Sequence, residues 1–251
     1  IFVINLEDKN ILITGASSGL GRELAIELDK CGSNLVLTGR NDEELQKTKN
    51  LLNNNSHRSY VFDLSKTSEL ETLIGKIFDN ETKFDGLVHC AGIHTFLPLN
   101  FTKLDTIEEA FNVNVISPLL LIKSFAKKNN FNPLASIILI SSVMGMRGSS
   151  SLSVYSSSKA AQIGLAKSLA VELSKKQIKV NSISASMLSS KILDKVKSKT
   201  SNDAYEEIEK KHLLGLGKYE DVIPSILFLL SDKTQWITGS NMVVDGGYSS
   251  W

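Results

Sequence analysis

Short apolar segments alternate with longer segments of helical periodicity along almost the whole chain. The apolar segments span three or four residues and are mostly Ile, Leu and Val, which is typical of strands buried on both faces of a parallel sheet. We predict strands at Ile11–Thr14, Leu35–Thr38, Tyr60–Phe62, Leu87–His89, Ile137–Ile140, Val180–Ile183 and Asn241–Val244.

The segments between these strands repeat their apolar positions with the period of an α-helix. Alternation of strand and helix favours right-handed βαβ crossovers and a doubly wound sheet. We predict helices at Leu20–Cys31, Glu43–Leu52, Ser68–Asp79, Leu104–Lys127, Tyr155–Ser174 and Tyr219–Leu230.

The predicted fold class is therefore α/β, a doubly wound Rossmann-type domain with a central parallel sheet flanked by helices. We expect one domain over residues 1–251, because no internal repeat and no linker divides the chain. The polar stretch Ser189–His212 separates a strand from a helix, and we expect a substrate lid at about 187–212.

Charge and composition narrow the classes of partner. A net charge of +1 provides no broad field for nucleic acid or anionic membrane. No apolar segment approaches the roughly 20 residues of a membrane helix, and residues 1–10 lack the basic start and cleavage site of a signal peptide. We expect a cytoplasmic protein without nucleic-acid or membrane partners. Cys31, Cys90 and the four histidines match no metal spacing, so we expect no metal.

Three glycines follow the first predicted strand and open the first predicted helix. Residues 9–21 read KNILITGASSGLG, with Gly15, Gly19 and Gly21 in the turn. Glycines there let backbone N–H groups approach a pyrophosphate at the helix N-terminus. The placement predicts a dinucleotide site, with an ordinary strand-to-helix turn as the alternative.

The tip of the second predicted strand indicates which dinucleotide is bound. An acidic residue there would accept hydrogen bonds from the ribose 2′-OH and repel a 2′-phosphate. The tip reads Gly39-Arg40-Asn41, and its first carboxylate comes only at Asp42. Arg40 can form a charge-assisted fork with a 2′-phosphate, and Arg22 is a second candidate contact. We therefore predict NADP (NADPH) as the cofactor.

A tyrosine and a lysine four residues apart share one face of a predicted helix. Tyr155 and Lys159 are the pair, and Ser142 lies thirteen residues upstream at the exit of a buried strand. A phenol with a pKa near 10 is a poor base at neutral pH. The Lys159 ammonium and the positive nicotinamide ring are together expected to lower the pKa of Tyr155 toward a range useful for acid–base catalysis.

Together these motifs resemble the short-chain dehydrogenase/reductase family, and in particular bacterial members of the 3-oxoacyl-acyl-carrier-protein reductase type. The resemblance extends from the glycine motif to Val244-Asp245-Gly246-Gly247. It implies a catalytic set of Asn114, Ser142, Tyr155 and Lys159. It also implies a cofactor site formed by Gly15, Ser17, Ser18, Gly19, Leu20, Gly21, Arg22, Arg40, Asp63, Leu64, Cys90, Ala91, Gly92, Tyr155, Lys159, Ala185, Met187 and Leu188.

The resemblance further implies reduction of a carbonyl to an alcohol. Ser142 and Tyr155 would hydrogen-bond the substrate oxygen, and Tyr155 would donate the proton. Lys159 would hold the ribose, and Asn114 would hold a water that links Lys159 to solvent. Asp63 would hydrogen-bond the adenine.

Two positions depart from the family pattern. Cys90 stands where the family has Asn, which removes a side-chain tie between neighbouring strands. Ala185-Ser186 replaces the Pro-Gly turn that covers the nicotinamide. Because Ala and Ser lack the constraint of that turn, we expect residues 187–199 to be less ordered without cofactor.

The substrate stays open between a small free ketone, such as a sugar intermediate, and a 3-oxoacyl group on a carrier protein. Family members that dock a carrier have an Arg in the helix after the catalytic Lys, where this chain has Val171. Arg147 could meet a substrate anion, but a solvated loop position is the stronger interpretation. His94 could line the pocket.

A non-catalytic NADPH-binding sensor on the same fold is the alternative from another class. The resemblance also implies a homotetramer or homodimer through the Leu104 and Tyr155 helices. The run Leu119–Ile122 agrees with a helix that is apolar on more than one side.

Overall fold

Seven parallel strands form one sheet in the computed structural model, which describes residues 4–54, 56–79, 81–188 and 209–250. The strand order is β3-β2-β1-β4-β5-β6-β7, so the order reverses beside β1. The strands are β1 (Asn10–Thr14), β2 (Asn34–Gly39), β3 (Arg58–Val61), β4 (Phe84–His89), β5 (Phe131–Ser142), β6 (Lys179–Ala185) and β7 (Asn241–Val244).

Helices cover both faces of this sheet and confirm the predicted doubly wound α/β class. Within the described ranges they are α1 (Gly19–Lys30), α2 (Asp42–Lys49), α3 (Leu70–Ile77), α4 (Leu104–Phe111), α5 (Ser117–Phe125), α6 (Ser153–Leu173) and α7 (Tyr219–Leu230). None of them is long and apolar enough to cross a bilayer. Of the lid expected at about 187–212, residues 189–208 lie outside the described residues.

The helix expected over Leu104–Lys127 is not continuous, and that part of the prediction is wrong. A π-helical turn at Asn112–Ile116 separates α4 from α5. Pro118 explains the break, because it has no N–H to donate to the carbonyl of Asn114 four residues earlier. Gln162 of α6 donates its side-chain Nε2 to that carbonyl instead, at 2.8 Å.

The two faces of the sheet hold two separate apolar cores. On one face Phe78, Phe84 and Phe125 pack edge-on or tilted, with ring centroids 5.4 to 6.4 Å apart. On the other face α1 and α7 cover residues such as Ile13 and Ile226, which are both fully buried. Both faces of the strands are therefore closed to water, and their carboxyl edge is where functional groups can collect.

Asp29 and His57 form a buried polar pair at the opposite end of the sheet. His57 Nδ1 accepts from the backbone N–H of Leu35 at 3.1 Å, so its Nε2 carries the proton and donates to Asp29 Oδ1 at 2.8 Å. Burial alone would raise the pKa of Asp29, but hydrogen bonds from Asn53, His57 and Asn54 outweigh it and lower that pKa below 3.8. The carboxylate therefore ties α1 to β2 and to the chain before β3.

Asp29→Asn is expected to lower the free energy of unfolding by about 2 kcal/mol at pH 7, because it weakens several charge-assisted hydrogen bonds at once. A carboxyl whose pKa is lowered on folding stabilises the fold above its unfolded pKa, and this is lost as pH falls through the folded pKa. The difference in the free energy of unfolding between the variant and the wild type should therefore be constant between pH 7 and pH 5 and should narrow below about pH 4.

Urea unfolding at pH 7, 5 and 3 measures this difference. Asp105→Asn, in the exposed first turn of α4, is the matched control and should cost no more than about 0.5 kcal/mol. A difference that stays constant down to pH 3 would contradict the assignment.

Candidate active site

A cavity of about 650 Å³ opens at the carboxyl edge of the sheet, around the point where the strand order reverses. The glycine turn after β1 forms one end of it, and Ser142, Tyr155 and Lys159 lie at the other. Of the residues expected at the site, all line this cavity except Arg22 and Asn114. The cavity therefore joins the two groups of residues that the sequence motifs indicated separately.

The glycine turn packs too tightly for side chains. Gly15 has φ +70°, and a Cβ there would lie 2.6 Å from the backbone N of Ala91. A Cβ on Gly21 would lie 2.4 Å from the carbonyl oxygen of Gly15. Ser18 makes no side-chain cap at the start of α1, so the first N–H groups of this twelve-residue helix stay available to an anion.

Arg40 reaches the cavity, whereas Arg22 serves a different purpose from the one expected. Arg22 donates to the carboxylate of Glu44 at 2.7 Å, to Thr48 Oγ1 at 2.9 Å and to the carbonyl of Ser17. A carboxylate is a strong, charge-assisted partner, and it holds Arg22 between the glycine turn and α2. The structure thus places Arg22 as a brace of the turn, and its expected contact with a 2′-phosphate is not supported.

Asp63 lies close to Arg40 at the same end of the cavity. Burial alone would raise its pKa, but hydrogen bonds from Ser65 and the charge of Arg40 lower that pKa below 3.8. The carboxylate accepts from the backbone N and from Oγ of Ser65 at 3.0 and 2.9 Å. Asp63 is therefore an ionised acceptor on the cavity wall, next to Leu64.

Tyr155 does not have the lowered pKa that its spacing from Lys159 predicts. Burial raises the pKa of Tyr155 above 10, and a hydrogen bond with Ser142 opposes this only in part. Lys159 Nζ lies 5.9 Å from the centroid of the Tyr155 ring and donates to the carbonyl of Ile140 at 2.7 Å. The protein groups alone therefore keep Tyr155 protonated at neutral pH, and the expected lowering of its pKa, which also involves the positive nicotinamide ring, stays a prediction.

Lys159 is buried among neutral acceptors. Burial lowers its pKa from 10.5 to about 8. Besides Ile140 it donates to Gln162 Oε1 at 3.1 Å, one turn further along α6. Gln162 thus contacts both Lys159 and the carbonyl of Asn114, and it was missed in the sequence although it lies three residues after Lys159.

Asn114 is held by contacts on both sides of its side chain. Its Oδ1 accepts from the N–H of Ile93 at 2.9 Å, and its Nδ2 donates to Ser158 Oγ at 2.8 Å. A Cβ on Gly92 would lie 3.4 Å from Asn114 Oδ1 and 3.3 Å from Lys159 Nζ. Gly92 therefore lets the π-helical turn approach α6 closely beside the cavity.

The tie between strands that Cys90 cannot make is supplied by its neighbours. Thr14 Oγ1 and His89 Nδ1 lie 2.8 Å apart and join β1 to β4, while His89 Nε2 donates to the carbonyl of Val113. The N–H of Ala91 also donates to Thr14 Oγ1, at 3.3 Å. Burial raises the pKa of Cys90 to about 12, so this thiol is not a nucleophile at neutral pH.

Two other residues of the loops are now located. His94 lines the cavity, with its ring centroid 4.6 Å from that of Tyr155. Arg147 lies outside the cavity lining and donates to the carbonyl of Tyr248 at 2.7 Å. Within the described part of the chain, no group of three or more His, Cys, Asp and Glu is arranged to hold a metal ion.

Known proteins resemble this chain over nearly its whole length. The family described as enoyl-(acyl carrier protein) reductase matches residues 15–249. The 3-oxoacyl-[acyl-carrier-protein] reductase FabG of Rickettsia felis is 34% identical over 246 residues, which cover 98% of each chain. L-xylulose reductase of Caenorhabditis elegans is 30% identical over 253 residues, which cover 97% of this chain and 96% of the relative.

Among solved structures, 4-hydroxyisoleucine dehydrogenase complexed with NADH superposes with a TM-score of 0.89 and 28% identity. The match covers 97% of this chain and 100% of the other. The agreement therefore includes the glycine turn, all seven strands and the Tyr–Lys helix in one alignment. The chain belongs to the short-chain dehydrogenase/reductase family of oxidoreductases.

Proposed function

We propose that the protein is an NADPH-dependent oxidoreductase that reduces a ketone to an alcohol with Tyr155 as the proton donor. The observation that carries this proposal is the position of Tyr155. It lines the same cavity as Ser142 and the glycine turn, one helical turn from Lys159. Similarity to FabG and to L-xylulose reductase, both named as reductases, supports it.

The residues present suit a nicotinamide dinucleotide. The cradle at Gly15 and Gly21, which a Cβ would fill, and the uncapped start of α1 suit a pyrophosphate. Asp63 and Leu64 would flank an adenine, and Lys159 would hold a ribose. A bound reduced nicotinamide would supply the hydride.

The chain's own groups then bind the carbonyl and deliver the proton. The hydroxyls of Ser142 and Tyr155 would hydrogen-bond the substrate oxygen, which polarises the carbonyl and fixes its position. The raised pKa of Tyr155 keeps the proton on the phenol until charge develops on that oxygen. Lys159, with a pKa of about 8, is suited to exchange a proton near neutral pH. Asn114, whose side chain and carbonyl are engaged by Ile93, Ser158 and Gln162, would hold the π turn beside Lys159.

Tyr155→Phe should reduce turnover on a verified ketone by at least ~10², because it removes the proton donor and keeps the ring. The affinity for NADPH should stay nearly unchanged. Tyr60→Phe is the matched control, since it removes a hydroxyl that bonds only the carbonyl of Lys76, away from the cavity. Stopped-flow oxidation of NADPH measures turnover. Near-normal activity of Tyr155→Phe would contradict the mechanism, and a wild type that binds NADPH but reduces no ketone would favour the sensor.

Preference for NADPH over NADH is argued from Arg40. Arg40 lines the cavity at the end of β2, and the next residues, Asn41 and Asp42, begin α2. The Asn41 side chain caps that helix by accepting from the N–H of Glu44, which directs α2 away from the tip. Arg40 can therefore pair with a 2′-phosphate bound in the cavity, whereas an acidic residue at this position would repel that phosphate.

Arg40→Asp should weaken NADPH binding by roughly 10- to 100-fold, which corresponds to losing one charge-assisted hydrogen bond. NADH binding should change little or improve. Lys83→Asp makes the same change of charge at the amino end of β4 and should leave both affinities as they are. Fluorescence titration gives the four dissociation constants. Equal wild-type affinities for the two cofactors would count against the role of Arg40.

For the substrate, a small free ketone is favoured over a carrier-bound 3-oxoacyl group. Val171, at the position where carrier-docking relatives have Arg, is 76% exposed on α6 and provides no charge for an acidic carrier. His94 beside Tyr155 adds a hydrogen-bonding group to the pocket. A panel of ketones, aldehydes, sugars and acyl thioesters, assayed with NADPH, separates the two alternatives. Separately, we propose that the enzyme is cytoplasmic.

A homo-oligomer is proposed from an exposed apolar row along α4 and α5. Leu104, Ile107, Ile116 and Leu119 are all exposed, whereas Leu121, in the run predicted to be apolar all round, is buried within the subunit. A second copy covering this row would remove it from water.

Ile107→Glu combined with Ile116→Glu should reduce the molar mass measured by light scattering after gel filtration, because each charge would be buried unpaired in the interface. Leu51→Glu, at another exposed apolar position, is the control and should leave the assembly intact. A wild type that is monomeric at micromolar concentration would contradict the proposal.

A further inference from the structure

Ser186 and His212 form a hydrogen bond that no part of the proposed mechanism uses. Ser186 Oγ lies 2.7 Å from His212 Nε2. Ser186 follows β6 directly, and His212 follows the segment 189–208, so the bond joins the chain before that segment to the chain after it. Both residues line the cavity of the site.

Backbone contacts hold the same turn from a second direction. The N–H of Ser186 donates to the carbonyl of Val244 at 3.3 Å, which continues the pairing of β6 with β7. Leu188 forms a parallel bridge with Gly217, which lies five residues after His212. The turn therefore has backbone partners on either side of Ser186, and the Ser186 side chain adds a third attachment at its centre.

The His212 ring is itself fixed by packing. His212 is only 4% exposed, and the centroid of its ring lies 4.6 Å from that of Tyr248 with an interplanar angle of 31°. Tyr248 is held in turn by Arg147, whose guanidinium lies 5.3 Å from the ring and whose Nη1 donates to the Tyr248 carbonyl. The imidazole thus presents Nε2 to Ser186 from a supported position.

The pair also divides two spaces. Ser186 and His212 line both the 650 Å³ cavity and a second cavity of about 250 Å³ behind it. Leaving Ser186 without its partner would let the Ser186 side chain turn into either space.

We propose that Ser186 and His212 are positioning residues that hold the turn after β6 in the form that accepts the nicotinamide end of the cofactor. This rests on the proposed function. Ala185 and Ser186 lack the stiffness of the Pro-Gly turn seen in the resembling family, so the chain must limit their freedom in another way. The Ser186–His212 bond does so through a side chain, and the bridge between Leu188 and Gly217 adds a backbone attachment. The expected difference in order at residues 187–199 stays a prediction, and of these 189–199 lie outside the described residues.

A double-mutant cycle with the full chain tests the pair. Ser186→Ala and His212→Ala should each weaken NADPH binding by about tenfold, within the range for a buried hydrogen bond, and the double variant should be no weaker than either single one. KM for NADPH should rise in proportion, while kcat at saturating NADPH changes less than threefold. Ser174→Ala, which removes a hydroxyl at the far end of α6, is the control.

A rescue variant separates positioning from general loss of structure. Ala185→Pro with Ser186→Gly, added to His212→Ala, should regain most of the lost affinity, because the stiffened turn no longer needs the imidazole. Thermal unfolding of the cofactor-free proteins measures any general loss of stability alongside. Independent, additive losses of affinity, absence of rescue, or affinity that follows the melting temperature alone would each overturn the inference. A wild type that binds neither NADPH nor NADH would overturn the proposed function together with it.

Discussion

The backbone carbonyl of Asn114 is the group on which the chemical end of the site depends. Pro118 cannot donate to it, and the helix therefore opens into a π turn at this point. Gln162 of α6 donates a hydrogen bond to this carbonyl through Nε2 and accepts one from Lys159 through Oε1. The π turn and Gln162 together set Asn114 against α6, and Asn114 Oδ1 and Lys159 Nζ both lie close to Gly92.

Burial governs the electrostatics of this end, because its hydrogen-bonding partners are neutral. Lys159 donates to neutral carbonyl and amide oxygens, so burial lowers its pKa to about 8, and burial likewise raises the pKa of Tyr155. A neutral phenol beside an easily deprotonated amine is an arrangement for giving a proton. The protein groups alone therefore keep the proton on the phenol of Tyr155, next to an amine that can exchange a proton near neutral pH.

The sequence predicted topology well because strand and helix periods and the glycine turn are local signals. It also indicated the groups at the carboxyl ends of β1, β4 and β5, since parallel strands bring those ends together. It could not indicate partners distant along the chain. Glu44 of α2 pairs with Arg22 of α1. Gln162 hydrogen-bonds Asn114 from 48 positions along the sequence, and His212 hydrogen-bonds Ser186 from 26 positions away. The effect of burial on the pKa of Tyr155 was missed for the same reason, because burial depends on all surrounding elements and the spacing to Lys159 does not report it.

The two ends of the cavity are held by different kinds of contact, which affects how readily the residues at each end can be substituted. At Gly15 and Gly21 a Cβ would meet backbone atoms of the segment after β4 or of the turn itself, so no neighbouring side chain can move to relieve it. At the other end the wall consists of side-chain pairs, Ser186 with His212 and His94 with Tyr155. Side-chain pairs can be exchanged without moving the sheet. The relatives are named for substrates as unlike as an acyl-carrier thioester and a free sugar, and in this chain His94, beside Tyr155, is the member of these pairs placed to contact a substrate.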